Sequence, residues 1–167
     1  DVCSSDLSDA CPKFIYSSTP FRGLDTLLHA WPMIRRVFPE STLDVYSGMG
    51  VYQQVSDSQF APLYERCKSL DGVRYFGSVN QPELAMAYSR ADILAFPSTY
   101  RETSCITVME AMASGCIIVS TTLGAIPETC NGFGFLTELP KTRKLKRRVE
   151  AFTRATIDAV QIGRAHV

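Results

Sequence analysis

Two short apolar runs, residues 93–96 (ILAF) and 116–120 (CIIVS), flank a helix-forming stretch, and this arrangement limits the folds open to the chain. Each run is continuously apolar rather than alternating, as in a parallel strand covered on both faces. Pro97-Ser98 closes the first run. The spacing then predicts a helix over 104–114, with Thr103 or Ser104 as N-cap and Gly115 ending it. Thr121 to Ala125 form a glycine loop after the second run. Strand, helix and parallel strand make a crossover unit, which needs a larger sheet around it.

Glu102 and Glu110 are eight positions apart around the start of this helix. Eight residues is a little over two turns, so Glu110 sits above the turn that opens the helix. That first turn offers unpaired backbone N–H groups and the positive end of a dipole, a ready site for an anion. The carboxylates beside it would repel phosphate and are suited to accepting hydrogen bonds from hydroxyls. Amides for phosphate and carboxylates for hydroxyls together fit a sugar nucleotide.

The remaining chain repeats the strand-helix theme. Residues 13–18 read as a first strand running into a loop, and Arg22-Gly23 opens an amphipathic helix with Leu24, Leu27, Leu28, Trp31, Ile34 and Phe38 on one face. Pro32 inside it is expected to kink it or break one hydrogen bond. Further strands are read at 42–47, 73–76 and 130–136, and helices at 59–70, 83–90 and 141–160. The expected fold is α/β, a Rossmann-like doubly wound parallel sheet of about six strands, with its site at the strand exits. No G-x-G-x-x-G follows the first strand and no phosphate-loop lysine motif occurs, which disfavours NAD and ATP chemistry.

The ordered set Pro97-Ser98, Glu102, Glu110-Ala111-Met112-Ala113, Gly115, Gly124 and Pro127-Glu128 resembles the nucleotide-sugar half of group 1 retaining glycosyltransferases with the GT-B fold. The likeness runs from about Lys13 to Leu136. It implies a hexosyltransferase that moves a sugar from a nucleoside-diphosphate sugar, UDP- or GDP-linked, to a glycan, lipid-linked or protein-linked acceptor. On this resemblance Glu110 takes the ribose hydroxyls and Glu102 the donor sugar. Arg22 and the backbone of Ser104, Cys105, Ile106 and Thr107 hold the diphosphate. Ser78 and Val79 lie against the base, and Gly48, in a tight turn at the sheet's carboxyl edge, is a further donor-binding candidate. No metal or cofactor is expected. Family members carry a basic pair in the first loop; Arg22 fills the second position, and Ser17 stands at the first. Glu128 is expected to support the glycine loop, and His29 to be structural.

The ends read differently. IGRAHV at the C-terminus can be encoded by a DNA segment whose reverse complement encodes DVCSSD, the N-terminal six residues. Residues 1–7 and 161–167 are therefore expected to be translated sequencing adapter, and 8–160 a donor-binding domain cut from a longer protein. An N-terminal acceptor domain would be missing, leaving this piece inactive alone. Equal numbers of basic and acidic residues, 17 each, give no reason to expect a nucleic-acid partner. Cys11, Cys67, Cys105, Cys116 and Cys130 form no C-x-x-C pair and fit a reducing, cytoplasmic compartment. The basic run within 141–160 reads as a solvated helix face or as peripheral contact with the inner membrane face. Two other functions stay open: a non-catalytic nucleotide-sugar-binding scaffold, which Ser17 favours, and a GT-B-fold sugar-nucleotide epimerase, which would need more histidines and acids.

Overall fold

A computed structural model describes residues 11–50, 57–139 and 144–165. Six parallel strands, β1 (Lys13–Ser17), β2 (Thr42–Tyr46), β3 (Val73–Tyr75), β4 (Ile93–Phe96), β5 (Ile117–Thr121) and β6 (Phe135–Thr137), form one sheet in the order β3-β2-β1-β4-β5-β6. The chain works outward from β1 to β3 and then returns to start again at β4, so β1 and β4 are neighbours where the winding reverses. Ile15 pairs with Asp44 on one side and Leu94 on the other. All four residues of β4 are buried, and β2 alternates, as expected of central and more lateral strands.

Helix α1 (Leu24–Val37) turns Leu24, Leu27, Leu28, Trp31 and Ile34 onto the sheet, each at most 1% exposed. Trp31 meets Phe14 edge to face at 5.4 Å and donates its indole N–H to the Asp71 carbonyl at 2.9 Å. The helix runs through Pro32 without ending, because the proline is on its exposed side and costs one backbone hydrogen bond only. Helix α2 (Ala61–Ser69) follows a short 3-10 turn at Asp57–Phe60. Helix α3 (Gln81–Tyr88) starts earlier than the sequence suggested, since Asn80 and Glu83 form a reciprocal capping box.

Helix α4 (Ile106–Ala113) is shorter than expected at its start: Cys105, not Thr103 or Ser104, is the N-cap, and no side chain caps it. A brief helix α5 (Ile126–Cys130) occupies the Pro127-Glu128 segment that read as loop, with Pro127 in its first turn. Glu128 is exposed in that turn. Helix α6 (Leu145–Ala165) packs on α1, β5 and β6 and buries Val149, Phe152, Thr156, Ala159 and Val160, spaced as one helical face. It continues past Val160, where the native segment was expected to stop. Lys144, Lys146 and Arg147 are exposed, while residues 1–10 and 140–143, the first adapter-like segment and part of the basic run, lie outside the described residues.

Candidate functional site

The carboxyl ends of β1, β2 and β3 and the starts of α3 and α4 enclose an open cleft of about 340 Å³. It lies at the β1/β4 reversal, where sheets of this topology leave a crevice between diverging loops. Arg22, Gly48, Ser78, Val79, Ile106, Thr107 and Glu110 all line it, although they come from separate loops. Glu102, Ser104 and Cys105 do not line it. Ser104 is exposed elsewhere, and Cys105 is buried beneath the helix start.

Close backbone approaches set this geometry. A Cβ on Gly48 would sit 2.3 Å from Ser78 Oγ, so the β2 and β3 exits meet where a glycine leaves room. Gly23, at φ +114°, lies against the Pro97 carbonyl, 2.1 Å from where its Cβ would be. Any other residue there would force the β1 and β4 exits apart. Arg22 is thereby carried to the loop that holds Glu102.

Glu102 is 5% exposed and takes the Arg22 Nη1 on both carboxylate oxygens, at 2.9 and 2.7 Å. Burial raises the Glu102 carboxyl above its ordinary range, and the neighbouring guanidinium works against that rise. Glu102 therefore reaches the cleft by way of Arg22.

The α4 start is pinned to the end of β1. Thr107 Oγ1 donates to the Ser17 carbonyl at 3.0 Å, and the Ser17 hydroxyl hydrogen-bonds the Tyr88 hydroxyl. Tyr88 also lies 3.3 Å from the Thr107 carbonyl. Burial raises this phenol well above its usual value, and the Glu110 charge adds to the rise, so Tyr88 stays neutral. Glu110 is one turn beyond Ile106. Side chains tilt toward a helix N-terminus, which aims its half-buried carboxylate over the uncapped first turn. The cleft thus joins a dipole end with free capping positions, one arginine and one carboxylate set back by a turn.

Tyr46, Thr19, Gln81 and Leu84 also line the cleft and were not singled out in the sequence. Tyr46 ends β2 and Gln81 opens α3, so position at a strand exit was the available signal. His29 is held on α1, its Nδ1 2.8 Å from the Asp25 carbonyl oxygen, remote from the cleft lining. Among the described residues no group of His, Cys, Asp and Glu converges as metal ligands. No described helix is long and apolar enough to cross a membrane.

Residues 13–159 match the family described as "Glycosyl transferases group 1". The chain is 31% identical over 157 residues to a GDP-mannose-dependent alpha-(1-6)-phosphatidylinositol monomannoside mannosyltransferase of Mycobacterium tuberculosis, covering 87% of this chain and 39% of that protein. It is 30% identical over 106 residues to a phosphatidyl-myo-inositol mannosyltransferase of Propionibacterium freudenreichii, covering 64% of this chain and 24% of the relative. The chain therefore spans well under half the length of these curated relatives. The pneumococcal O-GlcNAc transferase GtfA, solved with UDP and GlcNAc, superposes with a TM-score of 0.72 over 91% of this chain and 29% of its own, at 21% identity. HepE of Anabaena, solved with UDP-glucose, gives 0.62 over 93% of this chain and 45% of its own, at 18% identity. These structures share the fold.

Proposed function

The chain belongs to the group 1 glycosyl transferases, and from that membership we propose that its cleft is the donor site of a retaining hexosyltransferase. The observation that carries the reading is the convergence of Arg22, the uncapped α4 start and Glu110 on one opening at the β1/β4 reversal. In this reading the diphosphate sits on the amides of Ile106 and Thr107 beside Arg22, with Ser104 and Cys105 shaping the turn behind them. Glu110 accepts the ribose hydroxyls. The base lies against Gly48, Ser78 and Val79, and the donor sugar extends toward Glu102.

When the bond from the anomeric carbon to the diphosphate oxygen breaks, its electrons stay on the diphosphate. Fixed N–H dipoles and the guanidinium are placed where that charge grows, the largest kind of catalytic term. No metal is required by this arrangement. The GDP-mannose dependence of the mycobacterial relative makes GDP-mannose the donor to try first, with UDP-glucose second. Acceptor-binding groups would come from a domain within the relatives' length that this chain does not span. The same reading puts the enzyme in the cytoplasm, in peripheral contact with the inner membrane face if its acceptor is lipid-linked.

Hydrogen exchange of the 167-residue chain with and without each sugar nucleotide tests the placement. Protection confined to the α4 start, the β3 exit and the Arg22 loop is the expected result. Protection elsewhere, or none at saturating ligand, would contradict it.

A second reading is favoured by Ser17. Ser17 is 5% exposed and its hydroxyl is spent on Tyr88, so no cation stands where the resemblance puts the first member of a basic pair. A non-catalytic sugar-nucleotide-binding domain would show the same exchange protection, with no transfer when the acceptor-binding part is supplied.

A further inference from the structure

Arg22 is gripped by aromatic rings as well as by Glu102. Its guanidinium carbon lies 4.9 Å from the Tyr100 ring centroid and 5.7 Å from that of Phe21. The two rings meet edge to face, with centroids 6.1 Å apart and planes at 72°. Thr99 Oγ1 donates to the Phe21 carbonyl at 3.1 Å, which laces the β1 and β4 exits together around the arginine. Both rings are nonetheless open to solvent, Phe21 at 38% and Tyr100 at 49% exposure. Neither ring belongs to the buried core or packs against it, so core packing does not account for their placement. The face of an aromatic ring does attract a guanidinium.

We propose that Tyr100, together with Phe21, is a positioning residue that fixes the Arg22 guanidinium for the terminal phosphate of a nucleoside diphosphate. This rests on the donor-site reading above. Glu102 holds the same arginine, but its carboxylate also cancels much of the field an incoming phosphate would feel. A ring holds a cation through its quadrupole and adds no net negative charge. Two rings and one carboxylate therefore immobilise the guanidinium while leaving it more attractive to phosphate than two carboxylates would. Ordering it before the ligand arrives also removes part of the side-chain entropy that binding would otherwise cost.

The test compares GDP with GMP, and UDP with UMP, by titration calorimetry on the 167-residue chain. Tyr100→Leu is expected to weaken diphosphate binding about threefold to tenfold and to leave monophosphate binding unchanged. Phe21→Leu should act in the same direction, and serves alone if Tyr100→Leu is not folded by its thermal melt. Tyr100→Phe keeps the ring and should bind as the unsubstituted chain does. In an Arg22→Ala background, Tyr100→Leu should have no further effect, because the group it positions is gone. Equal losses for mono- and diphosphate, or an undiminished effect without Arg22, would overturn the proposal. If the unsubstituted chain binds no nucleotide, or Arg22→Ala binds diphosphate undiminished, the donor-site reading itself fails and takes this inference with it. If Arg22→Ala weakens binding and Tyr100→Leu does not, only the positioning role falls.

Discussion

Gly124 lies against the backbone of Glu102 so closely that a Cβ would stand 2.3 Å from the Glu102 carbonyl oxygen and 2.5 Å from its nitrogen. The Ala125 N–H donates to that same carbonyl at 2.8 Å. The loop after β5 therefore fixes the segment that presents Glu102, and through Glu102 it sets Arg22. Gly124 has φ +61°, so Gly124→Ala should cost about 2 kcal/mol in backbone conformation alone. That corresponds to a fall in melting temperature of roughly 4–8 °C for a domain of this length. Diphosphate binding should weaken with it. A melt unchanged from the parent would show slack between these backbones.

Removing the carboxylate of Glu102 separates its two assigned roles. Both oxygens accept from Arg22, so Glu102→Ala should weaken binding of the free diphosphate as well as of the sugar nucleotide. For the sugar nucleotide, losing a hydrogen bond to a charged group costs about 1.5–3 kcal/mol, roughly ten- to a hundredfold in affinity; the loss for the free diphosphate should be smaller, because the removed carboxylate also cancelled part of the Arg22 field. A loss seen with the sugar nucleotide alone would confine Glu102 to the sugar.

The Ser17–Tyr88 contact predicts a stability effect in a residue outside the cleft lining. Tyr88 is 1% exposed, and its hydroxyl serves Ser17 at the end of β1. Tyr88→Phe leaves the buried Ser17 hydroxyl short of a partner and should cost about 1–3 kcal/mol by chemical denaturation. Ser17→Ala in the same background should restore part of it, because both partners are then apolar. Additive losses would mean that the two hydroxyls are not coupled.

Much of the fold was legible because its signals are local. The unbroken runs ILAF and CIIVS mark strands buried on both faces, and the 3–4 spacing in α1 marks one helical face. Arg22, Ser78, Val79, Ile106, Thr107 and Glu110 were named from the family resemblance and Gly48 from its place at a strand exit; they line one cleft because the exits of a doubly wound sheet collect at one edge. The rest depended on contacts between distant segments. Nothing near Ser17 in sequence announces Tyr88, and nothing near Arg22 announces Tyr100. The α4 start was misplaced because Thr103 and Ser104 have cap chemistry, while the tertiary fold begins the helix after Cys105. Helix α5 was missed because a five-residue helix is too short to show a period.

Burial raises the thiols of Cys67, Cys105 and Cys116 from the ordinary 9.0 to about 11. Between those values the folded chain keeps thiol protons that the unfolded chain has lost. Their stabilising contribution is therefore complete below about pH 9 and is lost as pH rises toward about 11. Melting temperature should fall over that window, and Cys67→Ala should flatten part of the slope. In the native protein an alkylating reagent should modify the exposed Cys11 well before these buried thiols. Rapid native-state modification of Cys105 would contradict its placement beneath α4.

The most direct test of the donor site is titration of the 167-residue chain and its Glu110→Ala variant with GDP, UDP and ADP. Glu110 faces the cleft from one turn beyond the helix start and is assigned the ribose hydroxyls. One nucleotide should bind, and Glu110→Ala should weaken it roughly ten- to a hundredfold while the melt stays close to that of the parent. A folded chain that binds none of the three, or a Glu110→Ala variant that binds as well as the parent, would contradict the account.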